Sequence, residues 1–366
     1  MAVLFFHSTN VSFWVRKVMD VYKLYGPMNI HREQVDIPSP SCGEALVKTE
    51  YVGICGSDIP RIINGDVPFL PTTLGHEFSG TVVEVGDGCC LSPGDKVLVV
   101  PLLVCGECPN CKNGNAGQCV SSKLIGLRAV NKGGFSEYNV IPEKNLIKLS
   151  PKFDMVHAAM IEPLTVALHA LSLIGFDPSL PIAVIGTGTI GNLVIAAAKA
   201  FECRQIYAFG RNDAELELAK TFGAVKVFNT SDSLVLESFS DSTNGIYSPQ
   251  VVEAVGKEET VNLALELCSV MGNIALIGMP KSEIKLSAYT FYRRLVFRQQ
   301  HLHGVYHSYT NGHPGEEFPK AINMIENSKI PLDEMIYSID NMENLLSYFR
   351  RIESGEKITG KMLFHF

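Results

Sequence analysis

The chain has 366 residues, of which 46% are hydrophobic, and its formal charge at pH 7 is −7. This length exceeds a typical single hydrophobic core and predicts two domains, while the mild charge argues against nucleic acid or an anionic membrane surface as a partner and favours a small-molecule ligand. No apolar run reaches the ~20 residues that cross a bilayer, and the opening "MAVLFF" lacks the flanks of a signal peptide, so we expect a cytoplasmic protein.

The first 18 residues differ in pattern from the rest of the chain. They contain the only tryptophan, Trp14, and no strand pattern, whereas a natural first strand begins at Met19. We therefore expect residues 1–18 to be a dispensable extension, or Met19 to be the working start. From Met19 onward, short β-branched runs alternate with Gly and Pro, which predicts an antiparallel, barrel-like domain. These runs are "EALVKTEYVGIC", "FSGTVVEVG", "DKVLVV" and "FSEYNVI".

Three short stretches carry residue types that ligate metals. They are "GICGSD" with Cys55 and Ser57, "LGHEFSG" with His76 and Glu77, and "MIEPLTVALHA" with Glu162. Cysteine, histidine and carboxylate are ligands of catalytic zinc, which keeps one position open for water or substrate. Each stretch alone also fits an ordinary structural role, namely a buried thiol, a core histidine, or a glutamate that starts a helix before proline.

Four cysteines are concentrated in "CGECPNCKNGNAGQC", at gaps of two, two and seven residues; they are Cys105, Cys108, Cys111 and Cys119. Ten cysteines in a chain of this size are too dilute for a disulfide scaffold. Thiolates at this spacing converge on one ion, and four sulfur ligands leave no open position, so we predict a structural zinc site. The alternatives are an iron–sulfur cluster, whose usual spacing differs, and four free surface thiols.

After about residue 170 the pattern changes to alternating strands and helices, which predicts a parallel sheet with crossover helices. The predicted strands are "IAVIGTG", "QIYAFG", "VVEAVG" and "NIALIG", and the predicted helices are "TIGNLVIAAAKAFE", "AELELAKTFGA" and "ETVNLALELCSVMG". The tail from about residue 303 lacks this repeat, so we expect it to return to the first domain.

A glycine-rich loop joins the first of these strands to the first helix. "VIGTGTIG" places Gly186, Gly188 and Gly191 in the G-x-G-x-x-G arrangement, with Thr189 and Ile190 before the last glycine. A strand before the loop and a helix after it form the context in which such a loop binds the pyrophosphate of a dinucleotide. The alternative is an ordinary glycine-rich turn.

The end of the second strand indicates which dinucleotide binds. An acidic residue there would bind the ribose 2′-hydroxyl of NAD, but the chain has Gly210 followed by Arg211. Glycine leaves room for a 2′-phosphate and a guanidinium pairs with it, so we predict NADP(H) rather than NAD(H). In the rival interpretation Asp213 takes the acidic role.

Together, "CGSD", "GHEFSGTVVEVG", the cysteine-rich segment, "EP" and "GTGTIG" resemble the zinc-dependent medium-chain dehydrogenase/reductase family, from about Met19 to Phe366. The chain is most similar to the polyol dehydrogenase branch. The resemblance implies an α/β fold in which a Rossmann doubly wound parallel sheet, residues 169–303, interrupts a GroES-like β-barrel-type catalytic domain, residues 19–168 and 304–366.

The same resemblance implies a zinc-dependent oxidoreductase. It would transfer a hydride between a nicotinamide cofactor and a secondary alcohol or ketone of a polyol or polyol phosphate, of the galactitol-1-phosphate or sorbitol type. A homodimer or homotetramer is expected. The alternatives are a simple alcohol dehydrogenase and a non-catalytic NADP-binding protein on the same fold.

Family roles carry over to matching positions. Cys55 and His76 would bind the catalytic zinc, and Ser57 would relay the substrate proton. The alcohol dehydrogenase branch has a second cysteine where this chain has Glu162, so the third ligand must be a carboxylate. By resemblance to the polyol branch this is Glu77, with Glu162 binding directly or through the zinc-bound water. The four clustered cysteines match the family's structural zinc, which gives two zinc ions per chain.

The substrate pocket departs from the sorbitol-oxidising pattern. The motif "GVFRY" of that group appears here as "GVYHS", so the arginine that contacts polyol hydroxyls is missing. A phosphorylated polyol would need a cationic pocket. The candidates are Arg61, Lys123, Arg128 and His307, each of which also fits ordinary surface charge.

Overall fold

A computed structural model describes residues 18–129 and 132–366. The predicted N-terminal extension lies outside the described residues except for Val18, which already belongs to the first strand. The strands of the first half are β1 (Val18–Gly26), β2 (Asn29–Asp36), β3 (Glu44–Gly53), β4 (Glu77–Val85), β5 (Lys96–Val99), β6 (Leu102–Leu103), β7 (Lys123–Leu124), β8 (Tyr138–Pro142) and β9 (Leu146–Lys148). Those that follow are β10 (Ile182–Ile185), β11 (Ile206–Gly210), β12 (Lys226–Asn229), β13 (Ser248–Glu253), β14 (Cys268–Leu276), β15 (His301–Gly304), β16 (Ile336–Asn341) and β17 (Lys361–His365).

The α-helices lie mainly in the second half of the chain. They are α1 (Asp58–Asn64), α2 (Pro109–Lys112), α3 (Met155–Ala158), α4 (Ile161–Leu173), α5 (Thr189–Ala200), α6 (Asp213–Phe222), α7 (Val235–Ser242), α8 (Glu258–Leu267), α9 (Ala288–Thr290), α10 (Glu317–Glu326) and α11 (Leu345–Glu353). In the part of the chain that the structure describes, no helix combines the length and the apolar character that a membrane span requires.

The first large sheet contains β16, β17, β3, β4, β5 and β9 in that order, and β8 also pairs with β3. Its pairings are antiparallel except that of β16 with β17. Because β16 and β17 come from the C-terminal tail, the tail returns to the first sheet. The domain boundaries at residues 168 and 303 stay predictions.

The second sheet is parallel, with strand order β12-β11-β10-β13-β14-β15. All four residues of β10 are buried, as expected for a strand covered on both faces. Ile182 and Val184 pack in the cluster that includes α5, whereas Ala183 and Ile185 pack in the cluster that includes α8. The strand order reverses at β10, so the carboxyl ends of β10 and its neighbours form the crevice in which this fold binds dinucleotides. The predicted α/β class, an antiparallel sheet domain plus a doubly wound parallel sheet, is confirmed.

One predicted helix is too long. The sequence predicts a helix over 259–272, but α8 ends at Leu267 and β14 begins at Cys268. Cys268 pairs with Ser248 of β13, and Gln300 Nε2 donates hydrogen bonds to the carbonyls of Leu265 and Cys268. These partners satisfy carbonyls that a longer helix would have satisfied, so the chain leaves the helix early.

The hydrophobic core extends across both sheets. A single buried cluster includes Leu98 of β5, Leu164 and Leu168 of α4, Val184 of β10 and Leu193 of α5. Helix α4 therefore packs on both halves of the molecule. Its first turn carries Glu162, so this predicted site residue is held by a well-packed element.

Candidate functional site

Three of the predicted metal-ligand residues meet at one place. Cys55 lies between β3 and α1, His76 directly precedes β4, and Glu77 is the first residue of β4. Their ligand atoms lie within 4.8 Å of one another, and we call Cys55, His76 and Glu77 the three-donor group. Gly75 has φ +91°, a conformation that favours glycine, so the chain turns immediately before His76. The ligand atoms of His76 and Glu77 converge although the two residues are neighbours at the start of β4.

The chemistry and burial of the three-donor group fit a zinc ion. Thiolate, imidazole and carboxylate are zinc donors, and three protein ligands leave a fourth position for water or substrate. His76 is only 6% exposed, and its Nδ1 has no hydrogen-bond partner among the described residues, with Asp58 Oδ1 3.8 Å away. Burial, reinforced by the Glu77 and Asp58 carboxylates, raises the pKa of the Cys55 thiol to about 12. A divalent cation would reverse this by stabilising the thiolate.

Ser57 lies beside the thiol of the three-donor group. Its Oγ donates a hydrogen bond to Cys55 Sγ at 3.2 Å and accepts one from Arg61 Nη1 at 2.9 Å. The same Arg61 nitrogen forms an ion pair with Asp58 Oδ1 at 3.0 Å, and the Asp58 side chain is fully buried. Arg61 is therefore part of the site's hydrogen-bond network rather than a solvated surface charge.

Glu162 lies close to the three-donor group but outside it. It occupies the first turn of α4, directly before Pro163, and is 7% exposed. Burial raises the pKa of Glu162 to about 7, an effect that His76 opposes and Glu77 reinforces. The charges of the site therefore act on the Glu162 carboxyl group, but its oxygens are not among the ligand atoms that lie within 4.8 Å of one another.

The four clustered cysteines form a second group of candidate ligands. Their sulfur atoms lie within 4.8 Å of one another; we call Cys105, Cys108, Cys111 and Cys119 the four-cysteine cluster. Cys119 is buried and Cys105 is exposed, so the cluster lies at the edge of the fold. The backbone N–H groups of Cys111 and Val120 lower the pKa of the Cys108 thiol to about 6. Four sulfur donors, one of them readily ionised, fit a closed zinc site.

The glycine-rich loop lies at the carboxyl end of β10, where the parallel sheet forms its crevice. Gly186 has φ +97°, and a Cβ on Gly191 would lie 1.7 Å from Gly186 O. A Cβ added to Gly188, in contrast, would meet no atom of the described residues within 4 Å. This is the free approach to the backbone that a pyrophosphate needs. Thr189 and Ile190 begin α5, whose first N–H groups are available to an anion.

Two cavities lie along this loop, and both are lined by Gly188 and Glu215. A cavity of about 1010 Å³ is lined by Gly186, Gly188 and the end of β11. A second cavity, of about 310 Å³, has Ile54 and Gly56 on one side and Gly188 and Thr189 on the other. Ile54 and Gly56 flank Cys55 in the chain, so the small cavity runs from the glycine-rich loop to the backbone segment that carries Cys55.

The end of β11 carries both predicted specificity residues. Gly210 and Arg211 line the larger cavity, and so does Glu215 of α6. Thr187 Oγ1 donates to Glu215 Oε2 at 3.4 Å, and burial raises the pKa of Glu215. Asp213, the rival acidic residue, accepts a hydrogen bond from Asn229 at 2.9 Å. Glu259 also lines the cavity, so the two carboxylates there are ones that the sequence pattern did not single out.

The candidate cations of a substrate pocket are not equivalent. Burial lowers the pKa of His307 to about 4, and the positive groups acting on it include His76, Arg128 and Arg61. His307 therefore lies within electrostatic range of His76 and of the two arginines. Lys123 of β7 and Arg128 are both exposed, whereas the Arg61 side chain is only 15% exposed.

Sequence reasoning missed two buried charged residues at the three-donor group, Asp58, described above, and Lys361. Lys361 Nζ forms an ion pair with Glu77 Oε2, and the two side chains are 3% and 1% exposed. Lys361 starts the C-terminal strand, and a lysine before an apolar run gives no sign of burial. Only the pairing of β17 with β3 could have placed it here.

Comparison with known proteins agrees with these features. Residues 41–151 match the family model "alcohol dehydrogenase GroES-like domain", and residues 189–327 match "zinc-binding dehydrogenase". Galactitol 1-phosphate 5-dehydrogenase of Escherichia coli (strain K12) is 35% identical over 321 residues, which cover 87% of this chain and 92% of that relative.

Comparison with solved structures also finds dehydrogenases. Galactitol-1-phosphate dehydrogenase from Escherichia coli superposes with a TM-score of 0.90 and 32% identity, covering 95% of this chain and 100% of its own. An alcohol dehydrogenase from E. coli CFT073 complexed with NADH and a zinc-binding dehydrogenase from Sinorhizobium meliloti 1021 bound to NADP each have a TM-score of 0.86 and 27% identity, covering 96% of this chain and 100% of their own. The chain belongs to the zinc-dependent medium-chain dehydrogenase/reductase family, within its polyol dehydrogenase branch.

Proposed function

We propose that this chain is a zinc- and nicotinamide-dependent oxidoreductase that interconverts a secondary alcohol and a ketone of a polyol or polyol phosphate. The observation that carries the proposal is the cavity of about 310 Å³ between the residues that flank Cys55 and the glycine-rich loop. This cavity supports the proposal because hydride transfer requires a substrate at the three-donor group to lie close to a nicotinamide held by the parallel sheet.

Each residue of the site has a proposed role. When bound, zinc supplies a Lewis acid that lowers the pKa of a substrate hydroxyl, and the nicotinamide supplies the hydride acceptor. Cys55, His76 and Glu77 hold the metal. Ser57 Oγ receives the hydroxyl proton, and its hydrogen bond from Arg61 orients it. Glu162, outside ligand distance, orients water at the open position.

A substrate panel tests the reaction. Hexitols, pentitols and their phosphates should be assayed with NAD and NADP by nicotinamide absorbance. We expect turnover of at least one polyol or polyol phosphate, and its loss in Cys55→Ser. Cys42→Ser, at an exposed thiol outside the site, is the matched control. If Cys55→Ser retained the activity of this control, the three-donor group would not be the reactive centre.

We propose further that the preferred substrate carries a phosphate group. The charges of Arg61 and Arg128 both reach His307 and His76 does so too, which supports a positively charged region near the three-donor group. Arg128→Gln should raise KM for a phosphorylated polyol much more than KM for its unphosphorylated form, whereas Lys123→Gln should change neither. Equal effects of Arg128→Gln on both substrates would contradict a phosphate contact.

We propose NADP(H) as the preferred cofactor, because Arg211 lines the dinucleotide cavity at the position where a 2′-phosphate would lie. Arg211→Asp should invert the ratio of kcat/KM for NADP to that for NAD. Glu215→Gln tests the competing possibility that the Glu215 carboxylate binds the ribose hydroxyls of NAD. If Glu215→Gln lowered the use of NAD while Arg211→Asp left the ratio unchanged, the preference would be for NAD.

We also propose a homo-oligomer. β15 is an edge strand of the parallel sheet, and Leu302 on it is 40% exposed, with Phe291 and Phe297 exposed nearby. An exposed apolar edge is covered when a second copy pairs with it across a twofold axis. Sedimentation should show a dimer or tetramer that Leu302→Lys weakens. A monomeric wild-type chain at micromolar concentration would contradict the proposal.

A further inference from the structure

The ion pair between Lys361 and Glu77 is unusual because it is almost fully buried. Lysine is rarely found at 3% exposure, and burying both charges costs desolvation free energy that the pair must offset. An apolar pair of similar volume would avoid this cost. The pair lies at the three-donor group, where burial raises the pKa of Cys55 and Glu162 and the Lys361 ammonium offsets part of that rise.

Gly53 provides the space for this ion pair. It is the last residue of β3, opposite Glu77 of β4 on one side and Leu363 of β17 on the other. A Cβ on Gly53 would lie 2.6 Å from Glu77 Oε2 and 2.9 Å from Lys361 Cε. Its φ is not among the positive values of the described glycines, so the backbone itself does not require glycine. The requirement comes from the charges on either side.

A carboxylate can bind a metal through one oxygen or through both. In this site Oε2 of Glu77 is engaged by the ammonium of Lys361, which leaves the other oxygen for a metal. If both oxygens bound, the carboxylate would occupy the position that catalytic zinc keeps open for substrate.

We propose that Lys361, in the space left by Gly53, is a positioning residue that restricts Glu77 to one metal-ligating oxygen and so keeps the substrate position open. This rests on the proposed function, because it assumes that the three-donor group holds the catalytic metal. Lys361 acts through Glu77 and does not itself touch the substrate.

The test replaces the charge while preserving the length of the side chain. Lys361→Met removes the ammonium, and Lys361→Arg retains a positive charge. Lys96→Met is the matched control, because Lys96 also starts a strand of this sheet but donates to the Phe153 carbonyl at 2.8 Å. Each variant is prepared with zinc and with Co²⁺, whose visible d–d bands weaken when its coordination number rises above four.

We expect Lys361→Met to keep its metal, to show weaker d–d bands than wild type, and to lose ~10- to 100-fold in kcat, a loss typical of groups that orient a metal ligand. Lys361→Arg should show d–d bands of wild-type intensity, and so should Lys96→Met. Gly53→Ala displaces the pair without deleting a charge and should weaken the bands in the same way. If Lys361→Met does not fold, Gly53→Ala still tests the inference.

Wild-type band intensities in both Lys361→Met and Gly53→Ala would overturn the inference, and so would wild-type bands in whichever of the two folds. A wild-type protein that binds Co²⁺ at the four-cysteine cluster alone would instead refute the proposed function. The two failures are therefore distinguishable.

Discussion

Replacing Gly191 with alanine should damage the dinucleotide loop from inside the protein. An added Cβ would lie 1.7 Å from Gly186 O, whereas real Cβ atoms essentially never approach closer than 3.0 Å, so helix α5 and the loop must separate. Overpacking of this kind costs about 1–3 kcal/mol of unfolding free energy. Displacing the loop by about 1 Å also misplaces the cofactor, and such misplacement can cost ~100-fold in rate. We expect both losses in Gly191→Ala.

Gly188→Ala is the matched control for this prediction. Gly188 has φ −74°, and its added Cβ would meet no atom of the described residues within 4 Å, so the free protein should fold with wild-type stability. The Cβ would nevertheless enter the approach of the pyrophosphate, and we expect the Kd for the dinucleotide to rise about tenfold, or ~1.4 kcal/mol. Chemical denaturation and fluorescence titration with NADH and NADPH measure both effects. Wild-type stability and cofactor affinity in Gly191→Ala would refute the steric reasoning.

Three further outcomes are expected. Chelation should empty the three-donor group before the four-cysteine cluster, because its open position admits a chelator; zinc analysis, activity and circular dichroism should show turnover lost while the fold survives. Glu77→Gln should lower zinc content, and Glu162→Gln should retain zinc while kcat falls ~10- to 100-fold; the reverse pattern would make Glu162 the third ligand. Glu317→Gln should remove a pH-dependent part of the stability: burial opposes ionisation of Glu317, but hydrogen bonds from His169 and Thr310 outweigh it and lower its pKa from 4.5 to about 2. This stabilisation, at most roughly 3 kcal/mol, is present above the ordinary carboxyl pKa and is lost as pH falls towards 2; denaturation curves of wild type and variant that shift in parallel over this range would contradict it.

Local patterns predicted the parts of the fold that depend on nearby residues. The glycine spacing around Gly188 and the strand before it predicted the crevice of the parallel sheet, because strand, turn and helix follow one another in the chain. The same holds for the four-cysteine cluster, in which a short segment carries every candidate ligand. The end of α8 was predicted wrongly, because the partners that end it, Ser248 and Gln300, lie in distant segments.

The metal centre could be predicted only in part, for the same physical reason. Cys55, His76 and Glu77 were singled out by residue type and by resemblance to the family, and the structure brings their ligand atoms together. Their role as zinc ligands stays a prediction. Lys361 and the space at Gly53 depend on the pairing of β3 with β17, which joins segments far apart in the sequence. A lysine that starts a strand and a glycine that ends one have no chemical signature until that pairing is known.

The apolar cluster shared by the two sheets bears on how this molecule denatures. Since Leu164 and Leu168 of α4 pack in the same cluster as β5 and β10, separating the halves would expose apolar surface on both of them. We therefore expect a single calorimetric transition rather than two, with the van't Hoff and calorimetric enthalpies in agreement. A dinucleotide that binds the parallel sheet would then raise the melting temperature of the antiparallel sheet as well, by mass action on one cooperative unit.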